Sequence, residues 1–109
     1  NMLLGPSGQN IYPEEIEEKL NNLPFVTESI VIQKDDKLVG LVFPDFEEAA
    51  TQGYTSEEDI QRIMEENRVT LNTQIPSYCQ VSRIKIFKEE FEKTPKKSIK
   101  RFLYKDAAD

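Results

Sequence analysis

The stretch Thr27–Phe43, with the sequence TESIVIQKDDKLVGLVF, decides the fold class of this chain. Its first seven residues are rich in β-branched side chains, and Leu38–Phe43 is almost wholly apolar, so both segments are typical of strands. The polar residues Lys34–Lys37 between them predict a turn, and therefore an antiparallel hairpin. Because the apolar character is nearly continuous, we expect other parts of the chain to cover both faces of this hairpin.

Helical patterns lie on either side of the hairpin. Upstream, Pro13 stands in a first helical turn and is followed by two glutamates, a start that suits the N-terminus of a helix. Downstream, Thr55 or Ser56 caps a longer helix whose apolar residues recur at helical spacing. Residues 46–53, between the hairpin and that helix, are predicted to form a loop with a weak helical turn.

Further strands complete the predicted architecture. Val81–Phe87 alternates polar and apolar residues, which predicts a half-buried strand. Leu3–Leu4 and Ile11–Tyr12 flank a turn that contains proline and glycine, which predicts an N-terminal β-hairpin. The sequence therefore predicts an α+β fold: a small central sheet of about three strands, with helices packed on it, preceded by the N-terminal β-hairpin.

The C-terminal segment Thr94–Tyr104 (TPKKSIKRFLY) holds four basic residues in a chain of net charge −6. Ile99, Phe102 and Leu103 are spaced as one face of a short terminal helix, and residues 106–109 are expected to fray. A charge run of this kind is usually a solvated surface. The alternative is a loop that brings cations to an anionic ligand.

Composition excludes several classes of site. The chain has no histidine and one cysteine, Cys79, so it cannot form a Ser-His-Asp triad, a histidine-bearing zinc site or an internal disulfide. We expect no metal site in this domain and a structural role for Cys79. A single cysteine fits a reducing compartment, which favours a cytoplasmic protein. No apolar run approaches the ~20 residues of a transmembrane helix.

Charge is divided unevenly along the chain. Residues 1–81 hold five basic and fifteen acidic side chains, whereas residues 82–109 hold nine basic and five acidic ones. An acidic body with a basic end does not favour nucleic-acid binding, which uses a broad positive face. It is compatible with delivery of a few cations to a phosphate group.

Two motifs, at opposite ends of the chain, together resemble the C-terminal domain of adenylate-forming enzymes, the group that includes acyl-CoA synthetases and luciferases. Ser7–Glu17 (SGQNIYPEEIE) is similar to the hairpin-and-helix signature that opens that domain. Thr94–Arg101 (TPKKSIKR) is similar to the motif that closes it, and most resembles long-chain fatty acyl-CoA synthetases. Residues 1–109 are thus identified as a single C-terminal swinging domain of a two-domain ligase, with the N-terminal adenylating domain outside this sequence.

The resemblance implies a two-step reaction in the intact enzyme. ATP and Mg²⁺ are used to form an acyl-adenylate, and the C-terminal domain then rotates so that the acyl group passes to CoA. The domain alone is expected to bind no cofactor and to be inactive. Its implied partners are the N-terminal domain, CoA and a fatty acyl-adenylate, with no nucleic acid and no transmembrane segment. Peripheral association of the intact enzyme with a membrane stays open.

The resemblance also implies roles for single residues. The loop that lines the path of the thiol corresponds to Ser7, Gly8, Gln9 and Asn10. Glycine at position 8 would let the backbone approach a pantetheine arm closely. Lys100 and Arg101 are expected to support the anion on the nucleotide side.

The closing motif of the family presents a lysine that neutralises charge as the adenylate forms. When the pattern is anchored on Thr94, Ile99 and Arg101, Ser98 occupies the lysine position, and serine cannot supply a cation. Lys97, one residue earlier, is the candidate substitute, since its flexible stem can recover a few ångströms. The alternatives are that the intact protein forms the adenylate slowly, or that it has lost this half-reaction.

Two other functions stay open. An adenylating enzyme that loads the phosphopantetheine arm of a carrier protein would use the same N-terminal loop. A non-catalytic α+β interaction module would use the basic segment to bind an acidic surface of a partner.

Overall fold

The computed structural model describes residues 1–109 and confirms the α+β fold. A three-stranded sheet is built from Val26–Lys34 (β3), Lys37–Pro44 (β4) and Val81–Ile86 (β5), with β4 in the centre. A separate antiparallel hairpin of Leu3–Leu4 (β1) and Asn10–Ile11 (β2) precedes the sheet. The predicted central sheet and the predicted N-terminal hairpin are therefore both present.

The central sheet is mixed. β3 and β4 pair antiparallel, as the sequence of Thr27–Phe43 predicts, with Ile30 opposite Leu41. β5 pairs parallel to β4, with Ile84 opposite Gly40. A parallel pair needs a long crossover, and residues 45–80 supply it.

Three helices and two short 3₁₀ turns complete the chain. The helices are Pro13–Leu20 (α1), Phe46–Thr51 (α2) and Glu57–Asn72 (α3). Ser56 caps α3 in a capping box, where its hydroxyl accepts from the Asp59 N–H at 3.1 Å. None of the helices is long and apolar enough to cross a membrane.

The helix α2 corrects the predicted loop at residues 46–53. Asp45 acts as its N-cap, since the carboxylate accepts a hydrogen bond from the Glu48 N–H at 3.0 Å. Ala49 on this helix is fully buried. One short polar cap and one buried small residue are enough to fix a six-residue helix where periodicity is too brief to detect.

Two apolar clusters cover the two faces of the sheet, as the nearly continuous apolar strands predict. One cluster joins Val31 and Val42 to residues of α1 and α3, among them Leu71. The other joins Ile30 and Leu41 to residues of the C-terminal segment. The alternation of neighbouring residues between the clusters follows from the two-residue repeat of a strand.

The C-terminal segment differs from its prediction. In place of a helix with one buried face there is a single 3₁₀ turn, Arg101–Leu103, in which Phe102 is 69% exposed. Residues 106–109 do not fray, since Ala108 is 1% exposed and the carbonyl of Ala107 accepts from Lys85 Nζ at 2.8 Å. The cause is tertiary: apolar contacts and cations of the sheet hold the segment where no helix forms.

Candidate functional site

The loop Ser7–Asn10 lies at the tip of the β1–β2 hairpin. Its turn spans Gly5–Gln9: the Gly5 N–H donates to the Gln9 carbonyl at 2.7 Å, and the Gly8 N–H donates to the Gly5 carbonyl at 3.0 Å. Gly8, the fourth residue of the turn, has a φ of +83° and is therefore left-handed, as in a bulged hairpin turn. A Cβ at Gly8 would meet no atom within 4 Å, so glycine is needed here for its backbone conformation and not for space inside the domain.

The side chains of this loop are partly ordered by local contacts. Gln9 Oε1 accepts from the Ser7 N–H at 3.1 Å, while Ser7 and Asn10 are exposed. Gln33 of β3 donates to the Leu4 carbonyl at 2.7 Å and so ties the hairpin to the central sheet. The loop is thus presented to solvent on an anchored hairpin.

The closing motif forms a second hairpin tip of the same kind. The Thr94 N–H donates to the Ser98 carbonyl, and the Lys97 N–H donates to the Thr94 carbonyl, both at 2.8 Å. Lys97 has a φ of +67° and stands where Gly8 stands in the first turn. The Ser98 N–H also reaches Thr94 Oγ1 at 3.3 Å, and Lys93 and Ile99 pair antiparallel below the tip. We call Thr94–Ser98 the closing turn.

Three lysines of this segment are free of partners within the chain. Lys96 and Lys97 are exposed together with Ser98, and Lys100 is half-buried. None of the three lysines takes part in any of the ion pairs of the domain. An unpaired ammonium group on a hairpin tip can bind an anion without first breaking an internal contact.

Arg101 has a partner inside the domain. Its guanidinium donates twice to the carboxylate of Glu17, with Nη1 2.7 Å from Oε2 and Nη2 in contact with Oε1. Glu17 lies on α1 and is 5% exposed. The hydrogen bonds to Glu17 raise the pKa of Arg101 above its already high ordinary value, while burial opposes the shift. Its role in supporting an anion stays a prediction.

A second ion pair lies on the other side of the closing turn. Lys93 Nζ is 2.9 Å from Oε1 of Glu28, a residue of β3. The other oxygen of Glu28 accepts from the Phe91 N–H at 2.8 Å. Hydrogen bonding to Glu28 raises the pKa of Lys93.

Sequence reasoning missed Glu17, Glu28 and Lys93. Glu17 is one of four glutamates in α1, and Glu28 is a polar residue near the start of a strand, so neither stands out in the sequence. Neither position identifies a partner 65 or more residues away.

Cys79 is in a short 3₁₀ turn, Ser77–Cys79, and is 7% exposed. Burial raises the pKa of its thiol, and the negative charge of Glu15 raises it further. Both effects disfavour the thiolate, so the thiol is not set up as a nucleophile. No group of three or more carboxylate or thiol side chains is placed to hold a metal ion.

Two clefts of the domain differ in whether they border a motif. A cleft of about 520 Å³ lies beside the N-terminal loop, where Pro6 and Ser7 face Tyr78 and Arg68. A larger one of about 810 Å³ lies between α3 and β5 and contains no residue of either motif. Both motifs have exposed polar groups on their turns.

The family model described as AMP-binding enzyme C-terminal domain matches residues 2–107. A comparison with curated proteins gives no match. The A-PCP didomain of carboxylic acid reductase from Segniliparus rugosus, solved in complex with AMP, is similar with a TM-score of 0.79 and 16% identity, over 99% of this chain and 17% of that one.

Two acyl-CoA synthetases are also similar. The Mycobacterium tuberculosis fatty acyl CoA synthetase gives a TM-score of 0.66 and 22% identity, over 97% of this chain and 19% of that one. The Brucella canis acyl-CoA synthetase gives a TM-score of 0.71 and 23% identity, over 97% of this chain and 19% of that one. At these identities the likeness shows the fold, and the chain spans less than a fifth of each solved protein.

Proposed function

The chain belongs to the family of AMP-binding enzyme C-terminal domains, and from this membership we propose that it is the swinging domain of a two-domain, ATP-dependent fatty acid–CoA ligase. Membership supports a ligase role for the intact protein. The finer proposal is that a fatty acid and ATP, with Mg²⁺, give an acyl-adenylate and pyrophosphate, after which CoA replaces AMP to give the thioester.

The observation behind the proposal is the pair of exposed hairpin tips, each inside one of the two motifs. The first tip offers bare backbone around Gly8, which suits the passage of a narrow pantetheine arm. The second tip offers cations without internal partners, which suits the charge that develops on the carboxylate and phosphate during adenylation. One domain with two such faces can serve both half-reactions if it rotates between them.

We assign to Lys97 the stabilisation of the negative charge that develops during adenylation. This residue is exposed, lies at the tip of the closing turn, and is adjacent to Ser98, where the family pattern has its lysine. Lys100 and Arg101 follow on the next leg, and we propose that Lys100 supports the anion from there. The N-terminal loop Ser7–Asn10 is assigned to the path of the thiol.

The test measures the two half-reactions separately in the intact protein. Lys97→Ala should slow formation of the acyl-adenylate by about 100-fold or more, as expected when one charge-stabilising group is removed. Lys96→Ala, in the same exposed turn, is the matched control and should change the rate little. An unchanged rate in Lys97→Ala would reject its role, and a faster rate in Ser98→Lys would show that position 98 still suits a lysine.

A carrier protein is the second candidate acceptor, favoured by the similarity to the A-PCP didomain. Offering the intact protein, with acyl-adenylate bound, either CoA or a carrier protein bearing a phosphopantetheine arm decides between them. A non-catalytic interaction module predicts no acyl-adenylate at all with any fatty acid tested.

A further inference from the structure

We infer that Glu17 and Glu28 are positioning residues, which clamp the closing turn from both of its legs so that its free lysines are held in one orientation. This inference rests on the proposed function, because the orientation matters only if the turn meets an anionic ligand. Neither carboxylate touches such a ligand itself. Each acts through a cation of the hairpin.

The first leg is clamped by Glu28. Its carboxylate contacts Lys93 Nζ with both oxygens, at 2.9 and 3.2 Å, and also accepts from the Phe91 N–H. The Glu28 side chain is only 14% exposed. The register of β3 against β4 shifts between Val26 and Glu28, and irregularities of this kind re-aim a strand side chain.

The second leg is clamped by Glu17. Its carboxylate binds Arg101 in the two-point geometry that fixes direction as well as distance. Oε2 of Glu17 also accepts from the Val31 N–H at 2.8 Å, so the carboxylate is itself held by β3. The Glu17 side chain is 7% exposed, which shields the pair from solvent and salt.

The two legs are joined to each other below the tip. Lys93 pairs with Ile99, and the Lys100 N–H donates to the Glu92 carbonyl at 2.9 Å. The Glu92 N–H in turn donates to the Tyr104 hydroxyl at 2.8 Å. With both legs anchored to the body of the domain, the turn cannot pivot without breaking one of the two ion pairs.

The clamp divides the cations of the segment into two sets. Lys93 and Arg101 are paired with Glu28 and Glu17, whereas Lys97 and Lys100 are left for a ligand. A misplacement of about 1 Å in a positioned group can cost about 100-fold in rate. The carboxylates of Glu17 and Glu28 therefore matter for adenylation even though they lie away from the tip.

The experiment uses the intact protein with Glu28→Gln and Glu17→Gln, which remove charge and keep shape. Each should raise amide hydrogen exchange in residues 94–98 and slow adenylation by about tenfold or more at unchanged KM for ATP, while thioester formation from supplied acyl-adenylate changes less. Leu71→Val, a core change in α3, is the control: it should lower the melting temperature without altering the ratio of the two rates.

Two outcomes overturn the inference, and a third rejects the function on which it rests. Unchanged exchange in residues 94–98 would show that the pairs do not hold the turn. Equal loss in both half-reactions, as in any destabilised variant, would show that they do not position it for adenylation. A wild-type protein without adenylation rejects the proposed function first, and the exchange measurement still reports whether the clamp exists.

Discussion

Gly8 and Lys97 occupy the same position in two turns with the same hydrogen-bond pattern. Each is the fourth residue of a five-residue turn that has proline in its second position, and each has a positive φ, +83° for Gly8 and +67° for Lys97. Glycine adopts this conformation freely, whereas for a residue with a Cβ the conformation is less favourable by about 1–2 kcal/mol of free energy. A lysine kept at such a position is consistent with a side chain retained for function.

The first prediction concerns this backbone strain. Lys97→Gly should raise the free energy of unfolding by about 0.5–1 kcal/mol, because relief of the left-handed strain exceeds the added entropy of the unfolded chain. Lys96→Gly, next to it and without a positive φ, should lower the stability slightly. Urea denaturation of the three proteins measures the differences. A Lys97→Gly variant less stable than the wild type contradicts the assigned turn.

The second prediction separates the two tips by reaction step. Gly8→Leu should slow thioester formation by at least about tenfold and leave adenylation nearly unchanged, since the side chain projects into the proposed thiol path. Gly53→Leu is a matched control, because Gly53 also has a positive φ (+93°) and open space around its Cβ. Both variants share the backbone cost, so a selective effect must come from position 8. Equal losses in both steps by Gly8→Leu count against the assigned role.

The sequence predicts those parts of the fold that local chemistry decides. The strands of Thr27–Phe43 follow from their composition, and the starts of α1 and α3 follow from Pro13 and Ser56. The six-residue helix α2 is too short for periodicity, although the N-cap formed by Asp45 and the Glu48 N–H can be read from the sequence. The two motifs could be located, but not the fact that both are turns of one kind.

The rest depends on contacts between distant parts of the chain. Spacing predicts a terminal helix with Phe102 on its buried face, yet the apolar groups that cover the sheet are Phe91 and Tyr104. Likewise, the assignment of Arg101 to an anion could not anticipate Glu17, 84 residues earlier. Whether a buried carboxylate is paired with a cation depends on which residues the folded chain brings together, and local sequence patterns do not indicate this.

The third prediction concerns the aromatic anchor of the C-terminal segment. Phe91 stands in a charged stretch of sequence, yet it is 1% exposed and its ring centroid lies 5.1 Å from Phe87 and 5.0 Å from Tyr104. Phe91→Ala should lower the free energy of unfolding by about 3–5 kcal/mol. Phe102→Ala, which removes a ring that is 69% exposed, should lower it far less. Similar losses for the two variants in chemical denaturation would contradict the burial of Phe91.

The fourth prediction is a pH dependence of the Glu28–Lys93 pair. Hydrogen bonding to Glu28 raises the pKa of Lys93 above its ordinary value of 10.5. The pair therefore contributes its full stability below that value and loses it as the pH rises through the raised pKa of the folded state. Glu28→Gln should be clearly less stable than the wild type at about pH 8, and the difference should shrink as the pH rises through the raised pKa of Lys93. Glu57→Gln, which breaks the exposed pair with Lys88, is the control and should show little difference at about pH 8. If the gap between Glu28→Gln and the wild type in urea denaturation stays constant with pH, the protonated Lys93 does not stabilise the closing turn through Glu28.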